Sequence, residues 1–112
     1  MCRFIVNVVL GVLIWLPVCC WAVTPLENYN LIIKDHKFEP TQITIPANQK
    51  IILMVENQDP TVEEFESFDF NREKVVTGNG KIKVFIGPLK AGQYKFFGDY
   101  HKDTAQGILI VQ

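Results

Sequence analysis

Short runs of β-branched and aromatic residues alternate with turn residues along most of the chain. Pro, Gly, Asn and Asp separate these runs at intervals of about ten residues, and no segment sustains the 3.6-residue period of an amphipathic helix. This pattern predicts an all-β fold, a Greek-key β-sandwich or small barrel of about eight strands. The predicted strands cover residues 30–35, 42–45, 50–56, 64–70, 73–77, 81–86, 93–97 and 107–111.

The order of these strands predicts which loops meet. If each connection reverses the chain, as antiparallel sandwiches mostly require, the first, third, fifth and seventh connections share one end of the domain. Both histidines, His36 and His101, lie in these connections, and so does the start of an acidic run over residues 63–66. We therefore expect the imidazoles and the densest carboxylates at one pole. This expectation depends on the strand count, because one missed or extra strand would undo it.

The acidic run also has a predicted orientation. Strand alternation would place Glu64 and Glu66 on the same face as Phe68 and Phe70, toward the core. Carboxylates on that face need a partner, since burying an unpaired charge is costly. A metal ion is one such partner, and lysines at a solvated strand end are the other.

The candidate ligands are imidazoles and carboxylates. His101 follows an aromatic strand, Asp99 lies close to it, and His36 sits in a short polar segment. Imidazole and carboxylate together suit Cu(II), Zn(II) or iron and are poor ligands for Cu(I), which prefers sulfur. The alternative for both histidines is an exposed loop position that binds nothing, and His36 is the weaker candidate because residues 35–37 also suit an ordinary solvated turn.

The start of the chain is typical of an export signal. Arg3 is the only charged residue before Glu27, and residues 4–16 are almost entirely apolar. We predict a signal peptide over residues 1–22, cut to leave residues 23–112 as one domain outside the cytoplasm, in the periplasm. Two alternatives remain, an uncleaved membrane anchor and a lipoprotein-type signal, and both also place the domain outside the cytoplasm.

Composition excludes several classes of function. The three cysteines lie within the first twenty residues, so a processed domain has no Cys zinc site, no disulfide and no thiolate nucleophile. The net charge is −1 and the charges are interspersed, which argues against a nucleic acid partner. The single serine, Ser67, has no nucleophile elbow around it, and no hydrolase or transferase motif is present. These features do not decide whether the protein is an enzyme, and they favour a protein without enzymatic activity.

Several segments together resemble the cupredoxin fold, and the resemblance spans nearly all of residues 23–112. It looks closest to the cysteine-free EfeO-type cupredoxin-like domains. The segments that carry it are 38–40 (FEP), 43–47 (ITIPA), 55–59 (VENQD), 92–96 (GQYKF) and 107–111 (GILIV), with 63–67 (EEFES), 72–74 (REK) and 87–89 (GPL) adding specificity.

The resemblance carries over the blue-copper ligands only in part. Glu64 falls where the loop after the Asn-x-Asp turn supplies a histidine, Gly98 falls at the cysteine, and His101 keeps the second histidine. The axial methionine is absent, with Ala105 and Gln106 in its neighbourhood. Without a thiolate, the resemblance implies no intense blue centre.

The resemblance implies an accessory of metal traffic, of the kind associated with iron permeases. We therefore predict an exported protein that binds copper or iron and serves iron uptake or copper and iron traffic. Its expected partners are an iron permease or a periplasmic metal-binding protein, with membrane contact only through that permease or an uncleaved leader. One alternative is a metal-free β-sandwich that docks on a permease or another exported protein, and a third is a redox protein that oxidises ferrous iron. The predicted metal ligands are His101, Glu64, Glu66, His36 and Asp99.

Overall fold

A computed structural model describes residues 11–12, 14–15 and 25–112. The predicted signal cleavage site and all three cysteines lie outside the described residues. None of the described residues belongs to a helix with the length and apolar character needed to cross a membrane.

Nine strands make up the described part of the chain, and they confirm the all-β prediction. A 3-10 turn, Asp99–His101, follows β8. The strands are β1 Asn28–Lys34, β2 Lys37–Glu39, β3 Gln42–Ile45, β4 Ile51–Asn57, β5 Glu63–Ser67, β6 Arg72–Val76, β7 Lys81–Ile86, β8 Gly92–Gly98 and β9 Gln106–Val111.

The strands form two sheets that face each other. One has the order β2-β1-β4-β7 and the other β3-β9-β8-β5-β6. Most neighbours are antiparallel, but β1 runs parallel to β4, and β3 runs parallel to β9. Both parallel pairs join strands that are distant in sequence, which is how the chain closes into a sandwich.

Alternate side chains of both sheets fill the core between them. Phe68, which the sequence prediction placed toward the core, is 77% exposed, and Tyr94 is only partly buried against the core. The largest fully buried apolar side chains are Phe65, Phe96, Leu31, Ile33, Ile45, Ile51, Leu53, Ile86 and Leu109.

The sequence prediction missed β2 and extended β5 too far. Strand β2 has only three residues and follows a two-residue turn whose members, Asp35 and His36, both have positive φ (52° and 56°). Such turns usually carry Gly or Asn, so residues 35–36 show no sequence signal of a hairpin. Strand β5 ends because the Ser67 hydroxyl donates to the Lys95 carbonyl and accepts from the Phe70 amide, which turns the chain.

The predicted orientation of Glu64 and Glu66 is wrong. Phe65 is fully buried, so strand alternation sends Glu63 and Ser67 inward with it and turns Glu64 and Glu66 to the outer face of the sheet. The error came from extending β5 to Phe70, whose burial belongs to the turn rather than to the strand.

Two cationic side chains close one side of the sandwich. Strands β6 and β7 are edge strands of different sheets, joined by the turn in which the Gly80 amide donates to the Thr77 carbonyl. The Arg72 side chain donates to the Phe85 carbonyl (2.7 Å) and the Lys74 ammonium to the Lys83 carbonyl (3.0 Å). These bonds give β7 backbone acceptors partners that no neighbouring strand supplies.

Candidate metal centre at the histidine pole

Four loops meet at one end of the sandwich, which we call the histidine pole (residues 35–36, 57–62, 77–80 and 98–105). The Asn57 amide donates to the Gly80 carbonyl and the Asn79 amide to the Asp59 carbonyl. The Thr104 hydroxyl donates to the His36 carbonyl (2.5 Å). The predicted meeting of the loops is therefore confirmed. The missed strand does not disturb it, because β2 and β3 both lead away from this end.

Asp59 builds the turn that carries His36. Its two carboxylate oxygens accept from the Asp35 amide (2.8 Å) and the His36 amide (3.0 Å). Its own amide donates to the Asn57 side chain (3.0 Å). The backbone amide of His36, assisted by that of Asp35, lowers the pKa of Asp59. The hydrogen bonds to an ionised Asp59 thus offset the conformational cost of two consecutive non-glycine residues in the left-handed region.

The two histidines stack face to face. Their ring centroids lie 3.5 Å apart with 12° between the planes, as the prediction that both imidazoles meet requires. The Nε2 atom of His36 lies 3.3 Å from the Thr61 hydroxyl. Lone pairs of imidazole nitrogens lie in the ring plane, so two nearly parallel rings do not point them at one position. An ion bound to both rings requires one of them to turn.

Glu63, which the sequence prediction did not select, lies behind His101. One of its carboxylate oxygens accepts from the Tyr100 amide (2.9 Å) and the Glu64 amide (3.0 Å). The other lies 2.5 Å from Nδ1 of His101. The Glu63 side chain is 2% exposed and that of His101 is 26% exposed. Strand alternation could have identified Glu63 from the sequence, because a strand with Phe65 in the core also turns Glu63 inward.

Glu64, Glu66 and Asp99 form a separate group on the outer face of the sheet, which we call the outer carboxylate group. One oxygen from each lies within 4.8 Å of the others. A hydrogen bond with Glu73 and partial burial raise the pKa of Glu64. Partial burial and the charges of Asp99 and Glu64 raise the pKa of Glu66.

The predicted ligands therefore reach the pole as two groups rather than one. Within residues 25–112, no set of three donors at this spacing includes His36 or His101. The stacked histidines form one group and the outer carboxylate group forms the other.

These residues do not suit a type 1 copper centre, which requires a thiolate. Strand β8 ends at Gly98, and Ala105 occupies the far side of the same loop. A Cβ atom built on Gly98 would lie 2.7 Å from the carboxyl carbon of Glu63 and 2.7 Å from the Ala105 Cβ. The Glu63 carboxylate thus fills the space between these positions. The donors at the pole that remain partly exposed are His36, His101, Glu66 and Asp99, whereas Glu64 is 8% exposed.

An apolar groove of about 570 Å³ lies on the outer face of the same sheet. The exposed Phe68 ring packs against Phe97 with 5.2 Å between centroids. The ammonium of Lys102 lies 5.9 Å from the centre of the Phe97 ring and 3.2 Å from Asp99. The groove therefore borders the outer carboxylate group.

Three known proteins help to place the chain. A protein of Rickettsia prowazekii (strain Madrid E), described as uncharacterized protein RP394, is 51% identical over 81 residues, which is 72% of this chain and 65% of the relative. This chain therefore spans less than two thirds of that protein's length.

Two solved structures share the fold at low identity. Auracyanin A, a "blue" copper protein from Chloroflexus aurantiacus, is 15% identical with a TM-score of 0.68, covering 79% of this chain and 100% of its own. The metal binding domain of the Cu(I)-exporting P-type ATPase CopA of Streptococcus pneumoniae D39, solved with Cu(I), is 11% identical with a TM-score of 0.68, covering 76% and 84%.

Family membership follows from the sequence itself as well as from these folds. The family model described as a cupredoxin-like domain matches residues 8–111, nearly the whole chain. Together with the two-sheet sandwich and the loops gathered at its pole, this match shows that the chain belongs to the cupredoxin-like domain family.

Proposed function

We propose that this chain is an exported metal-binding protein that holds Cu(II) at the histidine pole, through His101 and His36, without forming a blue centre. The observation that carries the proposal is the hydrogen bond between Glu63 and Nδ1 of His101. Metal-binding histidines commonly donate one ring N–H to a carboxylate, which fixes the ring and leaves the other nitrogen for the metal. Here the arrangement leaves Nε2 of His101 as the ligand atom, and the His36 ring stacked against it must turn to bring a second nitrogen to the same ion.

Imidazole is a favourable ligand for Cu(II). The fold neighbours support copper as the ion to test first, since their names describe a blue copper protein and a Cu(I)-bound domain. The role in iron uptake or copper and iron traffic, the periplasmic location and the permease partner rest on the resemblance to EfeO-type domains, and they are parts of the same proposal.

The outer carboxylate group is the proposed site for a harder cation such as iron. Its oxygens already lie close together, and the pKa values of Glu64 and Glu66 are raised. A bound cation would offset the repulsion among these carboxylates. Asp99 and Glu66 are half-buried, so the group is open to solvent on one side.

Titration of the purified protein with Cu(II) and, separately, with iron tests the proposal by calorimetry and electron paramagnetic resonance. We expect about one equivalent of Cu(II) with nitrogen hyperfine coupling, and His101→Ala to weaken its binding by about tenfold or more. The paired variant Glu64→Gln/Glu66→Gln should leave Cu(II) binding unchanged and weaken iron binding. Gln106→Ala, in the same loop region, is the matched control. If the protein takes up neither Cu(II) nor iron, the proposal is wrong.

A second candidate is the metal-free docking module, favoured by one observation. Phe68 is 77% exposed and packs against Phe97, with 5.2 Å between the ring centroids, in a groove beside the outer carboxylate group. Such a surface fits a partner segment that carries an apolar and a basic side chain. Cross-linking to the expected permease in membranes should then fall in Phe68→Ser and persist in His101→Ala. The reverse pattern would favour the metal-binding candidate.

A further inference from the structure

The Glu63 carboxylate stands at the centre of the loop that follows β8. The positions that resemble those of the blue-copper ligands, Gly98, His101 and Ala105, surround this carboxylate. His101 contacts it directly through Nδ1. The space beside Gly98 is occupied by its carboxyl group, and the Ala105 Cβ lies against the same space. A side chain of the protein itself therefore occupies the position around which the family's ligands are arranged.

We propose that Glu63 replaces the ion of its copper-binding relatives. Its carboxylate joins β5 to the loop of residues 98–105 and holds the histidine pole in shape in the metal-free protein. The same carboxylate closes the pole to a thiolate-copper centre. This inference does not depend on Cu(II) binding by the outward nitrogen of His101, because it concerns the inner side of that ring.

The hydrogen bonds of Glu63 support this structural role. The carboxylate accepts from two backbone amides and contacts one imidazole nitrogen, and these partners come from both β5 and the segment after β8. The side chain is 2% exposed, so water does not compete for these bonds. A buried charge with this many partners is costly to remove, because the partners lose their acceptor together.

The absence of a side chain at Gly98 leaves the space that the Glu63 carboxylate occupies. Its φ of −94° is open to any residue, so the backbone does not require glycine there. The requirement is spatial, because a Cβ atom would lie 2.7 Å from the Glu63 carboxyl carbon and 2.7 Å from the Ala105 Cβ. Glu63 and a side chain at position 98 therefore exclude each other.

A double-mutant cycle between these positions tests the proposal. The melting temperature is measured in EDTA for the full chain, for Gly98→Ala and Glu63→Ala, and for the double variant. We expect each single change to lower it by roughly 10–20 °C. The two changes together should cost clearly less than their sum, because Glu63→Ala removes one of the two close contacts of a Cβ at position 98 and leaves the one with Ala105. Gly92→Ala, where a Cβ has ordinary contact distances, is the control and should be neutral. Additive effects of the two single changes would overturn the proposal.

A second measurement covers the case in which these variants do not fold. Glu63→Gln keeps the side-chain volume and is compared with Glu56→Gln, a partly exposed glutamate of β4. In EDTA, hydrogen exchange of the Tyr100 amide should accelerate by about tenfold or more in Glu63→Gln and stay unchanged in Glu56→Gln. Loss of Tyr100 protection in the unaltered protein when EDTA is added would show that an ion, not Glu63, holds the pole.

Discussion

Glu63 and Glu64 are neighbours in one strand, but they lie in opposite environments. Glu63 points inward and its carboxylate is saturated by two amides and an imidazole. Glu64 points outward into a group of carboxylates, and its pKa is raised. Asp59 belongs with Glu63, since its carboxylate also accepts from two backbone amides. These amides lower the pKa of Asp59. Glu66 belongs with Glu64.

The difference shows that the face of the strand, more than residue type, decides what a carboxylate does here. On the inner side, fixed N–H donors occupy the carboxylate oxygens and the carboxylates hold the pole together, and at Asp59 these donors stabilise the ionised form. On the outer side, like charges and partial burial disfavour the ionised form, and the same residue type is a cost in the absence of a cation. A run of glutamates in the sequence thus contains two separate functions.

The largest expected effect is the loss of an inner carboxylate. Asp59→Ala removes the acceptor of the Asp35 and His36 amides, and should lower the free energy of unfolding by about 2–4 kcal/mol. Urea denaturation measures it. Asp35→Ala, which keeps the backbone amide, is the control for the turn itself. If Asp59→Ala leaves the free energy of unfolding unchanged, the proposed difference between inner and outer carboxylates is wrong.

The two sides should respond to pH with opposite sign. Because the folded pKa of Asp59 is lowered, its stabilisation is complete above its unfolded pKa of about 3.9 and is lost as the pH falls through the folded value. The stability gap between the unaltered protein and Asp59→Asn should therefore be widest near neutral pH and shrink in acid. Denaturation at a series of pH values measures the gap.

For the outer side, the raised folded pKa values of Glu64 and Glu66 make their ionisation a cost. That cost is absent below the unfolded pKa of about 4.3 and appears as the pH rises through the folded values. Glu64→Gln/Glu66→Gln should thus be more stable than the unaltered protein at neutral pH and equal to it in acid. If the variant is less stable than the unaltered protein at neutral pH, ionisation of Glu64 and Glu66 is not a cost to the folded state.

A smaller effect isolates the strain that Asp59 offsets. His36→Ala and His36→Gly both remove the stacked ring, but only the glycine variant relieves the left-handed conformation at φ 56°. The glycine variant should be more stable than the alanine variant by about 1 kcal/mol. Thermal denaturation of the pair measures this, and equal stabilities would mean that the turn stores no strain.

The smallest effect is expected at Phe68. Its ring is 77% exposed, so Phe68→Ser should change the free energy of unfolding by no more than about 0.5 kcal/mol. Phe65→Ser, on the inner side of the same segment, should cost several times as much. Comparable losses would show that the outer face contributes to folding as well as to contact.

The sequence was sufficient for the fold and for the meeting of the histidines, because turn residues and strand runs record chain reversals directly. It did not determine which face of β5 is buried, because both alternate sets of side chains in residues 63–70 include apolar residues. Only the packing of Phe65 between the sheets resolves the choice. Sequence reasoning also missed Glu63, because its role depends on a hydrogen bond to His101, thirty-eight positions away.

The parallel pairing of β3 with β9 has a consequence for when the domain can form. Strand β3 finds its partner only after residues 106–111 have left the ribosome, and the five-stranded sheet has no complete substitute for that pairing. Contacts this distant along the chain slow folding. For the export proposed above, late closure of the sheet would keep the polypeptide extended until it has crossed the membrane.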